Sequence, residues 1–131
     1  MIIYNAKPKR LISIFIDNIF YLKDFTISNH TDDSIELKSD AFVFMLKFKN
    51  ENNKSGMTID WKFTGNSNNQ SQSVLGLENI GGKKFTNQIL EFIDKYLDEN
   101  ERTSSSKKAV IDAQTSKQKS KKIIIGAFIV F

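Results

Sequence analysis

Residues 57–64 read Met-Thr-Ile-Asp-Trp-Lys-Phe-Thr, and this stretch decides the fold class. Apolar and polar residues alternate strictly along it, which is typical of a β-strand in a sheet with one buried face. The apolar side chains predicted to face the core are Met57, Ile59, Trp61 and Phe63. The polar side chains predicted to face solvent are Thr58, Asp60, Lys62 and Thr64.

Three earlier stretches predict further strands of the same sheet. Phe and Ile alternate with Thr and Ser over residues 25–28, and apolar residues alternate with charged ones over residues 35–38. Residues 41–49 are apolar on both faces as far as Lys47, which predicts a central strand. Turn-forming residues separate these stretches, so the four strands are predicted to form an antiparallel meander. The short apolar start at residues 2–4 offers a fifth strand.

In two other segments the apolar residues are spaced as in an amphipathic helix. Apolar residues recur at spacings of one, three and four over residues 11–22 and again over residues 85–97, so each segment predicts an amphipathic helix. The first apolar set is Leu11, Ile12, Phe15, Ile16, Ile19, Phe20 and Leu22. The second is Phe85, Ile89, Phe92, Ile93, Tyr96 and Leu97.

The connection between the sheet and the second helix is less regular. Residues 66–73 are predicted to form a polar loop, and residues 74–80 either a short strand or an irregular bridge. The pair Gly81-Gly82 is predicted to break the chain before the helix begins. The predicted fold is therefore α+β, with a four- to five-stranded, mostly antiparallel sheet packed against two amphipathic helices.

The compact domain is predicted to span residues 1–98. Residues 99–122 are rich in Ser, Lys and Gln, which predicts a flexible basic linker and a disordered C-terminal tail. The chain holds no cysteine, so it forms no disulfide and no thiolate metal site, and a reducing compartment fits. Residues 1–100 hold 12 Lys and Arg against 13 Asp and Glu, whereas residues 101–131 hold 7 against 2. The basic excess belongs to the tail, which argues against a nucleic-acid surface on the domain.

Residues 123–131 are uniformly apolar and follow a basic membrane flank. The flanking lysines are Lys117, Lys119, Lys121 and Lys122. As a helix the nine apolar residues rise only about 13 Å, against about 30 Å of bilayer hydrocarbon. Three alternatives stay open: the start of a transmembrane helix that continues past residue 131, a shallow insertion, or a β-strand that extends the sheet. The long polar linker favours the membrane alternatives, and hence a domain at the cytoplasmic face of a membrane.

No pattern of residues predicts catalysis, a metal site or a cofactor. His30 is the single histidine, and in the polar turn with Asp32 and Asp33 it is better interpreted as turn capping than as a weak cation site. The Gly-Gly pair at residues 81–82 lacks the spacing of phosphate-binding glycine motifs. The expected function class is therefore a binding module rather than an enzyme.

The candidate binding residues lie on the polar face of the last strand and in the loop after it. They are Thr58, Asp60, Lys62, Thr64, Asn66 and Asn69. A protein partner is the leading expectation. The alternative is a carrier of small hydrophobic ligands with a cavity lined by Phe15, Phe44, Trp61 and Phe92. Nucleic-acid association through the basic tail ranks last.

The order of elements resembles a class of small uncharacterised bacterial domains that are tethered to membranes. The likeness rests on the predicted first helix at residues 11–22, the strands over residues 25–37 and 57–65, and the glycine break and helix over residues 81–97. The resemblance covers about three quarters of the chain and concerns the order of helices and strands, with few fixed residues. The resemblance implies membrane tethering and no known activity, and it supplies no functional residues.

Overall fold

The computed structural model describes residues 1–64 and 72–115, with side chains excepted over residues 72–79. The strands are β1 (Ile2–Tyr4), β2 (Thr26–His30), β3 (Ser34–Ser39), β4 (Phe42–Glu51) and β5 (Lys54–Phe63). The helices are α1 (Pro8–Asn18), α2 (Gln72–Lys95) and α3 (104–115), with 3-10 turns at Ile19–Tyr21 and Glu99–Glu101. This arrangement confirms the predicted α+β class.

The sheet is antiparallel throughout, with strand order β1-β5-β4-β3-β2. Strands β2 to β5 form the predicted meander, and β1 adds the fifth strand beside β5. The hairpin between β4 and β5 turns on Asn52 and Asn53, whose φ angles are 49° and 67°. A two-residue turn with both φ angles positive matches the twist of the flanking strands, and asparagine tolerates that conformation.

The core lies between one face of the sheet and the helices. Phe44 in β4 is fully buried and stands opposite Leu37 on β3 and Trp61 on β5. The other fully buried large side chains are Tyr4, Leu11, Ile14, Phe15, Ile35, Leu37, Leu46, Met57, Ile89 and Ile93. Burial of each such side chain contributes about 1.5–3 kcal/mol before entropy costs. Because the same sheet face receives both α1 and α2, the meander and its helices share one core.

Helix α2 begins earlier than the sequence predicts. It starts at Gln72, so the prediction of a strand or irregular bridge over residues 74–80 is wrong, as is the break at Gly81-Gly82. The physical reason is close packing. A Cβ on Gly81 would lie 2.7 Å from Cζ of Phe42, and a Cβ on Gly82 would lie within 2.6 Å of three indole atoms of Trp61. The glycines therefore let the helix approach the sheet rather than ending it.

Residues 99–115 are also folded, so the prediction of a flexible linker is wrong for this part of the chain. Thr103 caps α3: its hydroxyl accepts from the Ser106 amide at 3.1 Å, and Ser106 Oγ accepts from the Thr103 amide at 2.8 Å. This reciprocal pair resembles a capping box with serine in place of the usual Glu or Gln. Buried Ser106 and Ala113, with half-buried Ala109 against the core, give α3 one inward face.

The start of α3 and the residues just before it cover the free edge of β1. The Ile3 amide donates to Ser105 Oγ at 3.0 Å, and the Ile3 carbonyl accepts from the Thr103 hydroxyl. The Asn5 amide donates to the Glu101 carbonyl at 2.9 Å. Edge strands offer unpaired groups to other chains, and here residues 101–105 occupy them. The composition of residues 101–105 did not predict this role, because these residues contact β1 through hydroxyl and backbone hydrogen bonds rather than through apolar side chains.

The C-terminal predictions fall on residues 116–131, which lie outside the described residues. This applies to the membrane flank Lys117, Lys119, Lys121 and Lys122 and to the apolar segment 123–131. Within residues 1–64 and 72–115, no helix combines the length and the apolarity required to cross a bilayer.

Candidate binding groove

The site begins where α1 ends. Asn18 Nδ2 donates to the Ile14 carbonyl at 3.0 Å, and the chain then tightens into the 3-10 turn Ile19–Tyr21. Eleven residues are close to three helical turns, so Leu22 lies on the same face as Leu11 and is buried in the core. Phe20 follows Leu11 by about two and a half turns, so it lies on the opposite face and points to solvent.

An aromatic pair projects from this turn. The Phe20 side chain is 87% exposed and that of Tyr21 is 69% exposed, with their rings perpendicular and their centroids 5.8 Å apart. Ile16, one helical turn earlier on α1, is 44% exposed. The prediction of one buried stripe over residues 11–22 is therefore wrong for Ile16 and Phe20. Contiguous exposed apolar groups of this kind are typical of interaction surfaces.

Tyr21 also forms one wall of a groove against α2. The groove is shallow and open to solvent, with a volume of about 410 Å³. Leu22 and Phe92, both buried, contribute apolar side chains to its lining, and Tyr96 lines it from the end of α2. The polar residues that line it are Lys23, Asp24, Gln88, Glu91 and Lys95. We call this site, together with the adjoining Ile16 and Phe20, the aromatic groove.

The lining of the aromatic groove is held in place from the core side. The Phe92 ring packs against the rings of Phe15 and Tyr96, at centroid distances of 5.5 Å and 5.1 Å. Asp24 has a φ of 75°, a left-handed conformation that sets the path of the chain from Leu22 into β2. Lys95 Nζ lies 5.6 Å from the centre of the Tyr96 ring, within the range of a cation–π contact.

Arg10 ties the end of α2 to the segment that covers β1. Its Nη2 donates to the Tyr96 carbonyl at 3.0 Å, and its guanidinium forms two hydrogen bonds to the Glu101 carboxylate at 3.0 and 3.2 Å. The hydrogen bond from Arg10 lowers the pKa of Glu101, and the same bond raises the pKa of Arg10. A charged, bidentate pair thus fixes the backbone at Tyr96 and with it one side of the groove.

A second ionic cluster lies beside the first. Arg102 donates to the carboxylates of Asp94 and Glu99, each at 3.0 Å, and Lys107 Nζ lies 2.6 Å from Glu99. The pKa of Glu99 is lowered, first by the hydrogen bond from Lys107 and then by that from Arg102. The two pairs of Glu99 involve an exposed carboxylate and each contribute little alone, whereas the Arg102–Asp94 pair is half-buried. Together the pairs link α2, the 3-10 turn and α3.

The predicted polar face lies on the opposite side of the sheet from the aromatic groove. Thr58, Asp60 and Lys62 pair with Lys47, Met45 and Val43 of β4, so the structure brings the three together on one surface. Thr64 follows the end of β5, and its amide donates to the Ala41 carbonyl at 2.6 Å. The remaining predicted binding residues, Asn66 and Asn69, lie outside the described residues.

The polar turn after β2 is held by its own side chains. The Thr31 hydroxyl bonds to the Asp33 carboxylate at 2.9 Å and lies 2.7 Å from the Ser34 hydroxyl. His30 is exposed at the end of β2, opposite Ile35 of β3. Within the described parts of the chain, no three His, Cys, Asp or Glu side chains are grouped as metal ligands.

Sequence reasoning missed the aromatic groove, although the sequence held one signal of it. Residues 19–22 read Ile-Phe-Tyr-Leu, four large apolar or aromatic residues in succession. Successive residues of a helix lie about 100° apart, so four such neighbours cannot all face one core. At least one of them had to face outward, and the structure identifies Phe20 and Tyr21. The contribution of α2 to the groove depends on tertiary packing.

Comparisons of the chain with protein-family models, with curated proteins and with solved structures found no match.

Proposed function

We propose that the chain is a non-enzymatic binding module, held at the cytoplasmic face of a membrane through residues 123–131, that grips a protein partner in its aromatic groove. The observation that carries the proposal is the exposed Phe20–Tyr21 pair beside a preformed groove. A largely exposed aromatic side chain contributes little to the stability of the monomer, but it stabilises a complex once a partner covers it.

The chemistry of the groove indicates the type of partner. Leu22, Phe92 and Tyr96 offer apolar and aromatic surface, while Lys23 and Asp24 offer charges of both signs at exposed positions. Interfaces of this composition have apolar side chains at the centre and a polar rim. The partner segment is therefore apolar where it enters the groove and polar around it, as the side of an amphipathic helix is.

The packing of the core favours this proposal over a carrier of hydrophobic ligands. Of the four residues expected to line an internal cavity, Phe15 and Phe92 contact each other ring to ring. Phe44 and Trp61 both pack against the ring of Phe42, at 6.1 and 5.6 Å. Aromatic rings thus fill the core side of each of these side chains, and Phe92 meets open space at the aromatic groove.

Membrane tethering is the part of the proposal that rests on sequence. The lysines at 117–122 precede nine apolar residues, and such a basic flank fits the cytoplasmic side of a membrane. The same lysines explain the basic excess of the tail without a nucleic-acid partner. Removal of residues 123–131 should release the protein from the membrane fraction while the fold persists.

Site-specific photocrosslinking in cells that produce the chain tests the proposed site. A photoreactive phenylalanine analogue replaces Phe20 in one sample and Thr58, on the opposite sheet face, in the other. The proposal expects a reproducible protein adduct from position 20 that is absent from position 58. With the purified partner, Tyr21→Ser should weaken binding at least about tenfold, because truncating an aromatic hot spot costs more than about 1.4 kcal/mol.

Thr58→Ala is the matched control and should bind as the original chain does. Adducts from position 58 alone would move the binding surface to the polar sheet face. Equal affinity of the Tyr21→Ser variant would show that the aromatic groove does not hold the partner. Turnover of a small-molecule substrate by the purified chain would overturn the non-enzymatic assignment.

A further inference from the structure

The chain contains one segment whose chemistry suits the aromatic groove. Residues 123–131 read Ile-Ile-Ile-Gly-Ala-Phe-Ile-Val-Phe, and they carry no charged side chain. Apolar surface in water costs about 25 cal/mol for each Å², so such a segment requires a cover whenever no membrane supplies one. Three of the six exposed large apolar side chains in the described residues fall within the short stretch 16–21, at Ile16, Phe20 and Tyr21.

The covalent path brings this segment within reach of the groove. Glu101 binds Arg10, which in turn binds the Tyr96 carbonyl at the groove, so the chain passes close to the groove just before α3. Twelve helical residues, 104–115, rise about 18 Å. The seven residues 116–122 span up to about 23 Å when extended. Residues 116–122 are therefore long enough to lead the chain back along the whole of α3, towards the end of that helix that lies near Glu101.

Charge does not oppose the same return. The connecting residues carry Lys117, Lys119, Lys121 and Lys122. Asp24 lines the aromatic groove and Asp17 is exposed beside Ile16 on α1, while Lys23 and Lys95 add positive charge to the lining. Since charges of both signs are present there, apolar contact is the main attraction between the segment and the groove. Anionic lipid attracts the same lysines, so the tail has two competing sites.

We propose that residues 123–131 occupy the aromatic groove of their own chain when no membrane is present. The inference rests on the proposed function of the groove and adds its regulation. Insertion of the segment into a bilayer vacates the groove, so the groove opens to a protein partner at the membrane and closes away from it. An intramolecular segment has a high effective concentration, so even weak contacts suffice to compete with a partner.

Intramolecular crosslinking of the purified full chain tests this directly. The photoreactive analogue at position 20 is illuminated in dilute buffer, and again with vesicles of phosphatidylcholine and phosphatidylserine. Trypsin cuts after Lys122 and releases residues 123–131 as one peptide, so an adduct with the tail appears as one defined mass. We expect that adduct in buffer, its loss with vesicles, and no such adduct from the analogue at position 58.

A second measurement covers the case in which the analogue itself disturbs the groove. The chain has no cysteine, so Ala127→Cys provides a unique site for a nitroxide label. The label should reduce the NMR signals of residues 21–24 and 88–96 within one molecule, and Tyr21→Ser should restore them. A mixture of labelled and isotope-enriched chains shows whether the effect arises between molecules.

Each outcome decides between the two proposals. Absence of the tail adduct and of the signal loss, with partner binding intact, overturns the self-occupancy and leaves the binding function standing. Occupancy by the tail in a chain whose groove never captures a partner sustains the self-occupancy and removes the binding function. Signal loss that arises only between molecules also overturns the inference, because it assigns the groove to a second copy.

Discussion

Gly82 lies inside α2 at the point where this helix crosses the indole of Trp61. Helix propensity alone makes Gly82→Ala stabilising by about 1 kcal/mol, since glycine is among the least favourable residues in a helix interior. The tertiary structure reverses that expectation. An alanine Cβ would lie within 2.6 Å of three indole atoms, whereas ordinary contacts begin at 3.4 Å.

The magnitude follows from these two opposed effects. Relief of the contact requires a movement of the indole or of α2 by roughly 1 Å, and overpacking of this kind costs about 1–3 kcal/mol. Trp61 is half-buried and packs on Phe42, so its outward movement also disturbs the ring cluster. We expect a net loss of up to about 2 kcal/mol in the free energy of unfolding, or up to about 8 °C in Tm.

Urea and thermal denaturation followed by circular dichroism measure this loss. Lys84→Gly is the matched control: Lys84 is exposed on the same helix, so that variant should lose about 1 kcal/mol through propensity alone. The double variant Gly82→Ala with Trp61→Leu should lose less than the two single variants combined, because the smaller side chain removes the contact. A Gly82→Ala variant that unfolds at a higher temperature than the original chain would refute the packing argument.

Three further predictions concern the edge of the sheet and its ionic support. Burial, with a smaller effect of Asp94, raises the pKa of the Tyr4 hydroxyl above its ordinary value of 10.0. Because Tyr4 then ionises more readily in the unfolded chain, the free energy of unfolding should fall above about pH 10. In urea titrations over about pH 9–11, the Tyr4→Phe variant should lose less stability than the original chain. The pKa of Glu101 is lowered from its ordinary value of 4.5, so its ionised form stabilises the fold above that pH, and this stability is lost as the pH falls below 4.5. The Glu101→Gln variant should show a weaker dependence of unfolding free energy on acid pH. An unchanged dependence would contradict the role of the Arg10–Glu101 pair. Ser105→Ala removes the acceptor of the Ile3 amide, so hydrogen exchange at Ile3 should accelerate at least about fivefold, as expected for about 1 kcal/mol, while a distant β4 amide exchanges as before.

Much of the fold could be predicted because local patterns and tertiary structure agree there. The alternation over residues 57–64 identified β5 and its buried face, and the turn residues at 30–33 and 39–40 separated the strands of the meander. These signals are local, and they are strong because a one-residue shift in the register of a strand would move every buried side chain to the solvent face of the sheet. The apolar residues of α1 and of the second half of α2 were likewise sufficient to predict two helices against that face.

Residues 72–82 and 99–115 show where local patterns fail. The Gly81-Gly82 pair signals a break when only the backbone is considered, and only the approach of Phe42 and Trp61 explains why a helix needs two residues without side chains there. Ser and Thr at 103–106 signal disorder by composition. Thr103 and Ser105 instead satisfy the backbone groups of Ile3 in β1, about 100 residues away in the chain.

The sequence by itself determined the α+β class, the meander and the buried faces, because hydrophobic periodicity encodes which side of each element avoids water. Tertiary structure alone decided the aromatic groove, since its two sides come from residues 21–24 and from α2, about 65 residues later. It also decided that the exposed Tyr21 lies beside α2, because the position of that helix depends on packing between distant segments. A binding surface assembled from distant segments leaves no continuous pattern in the sequence, and packing geometry supplies the missing information.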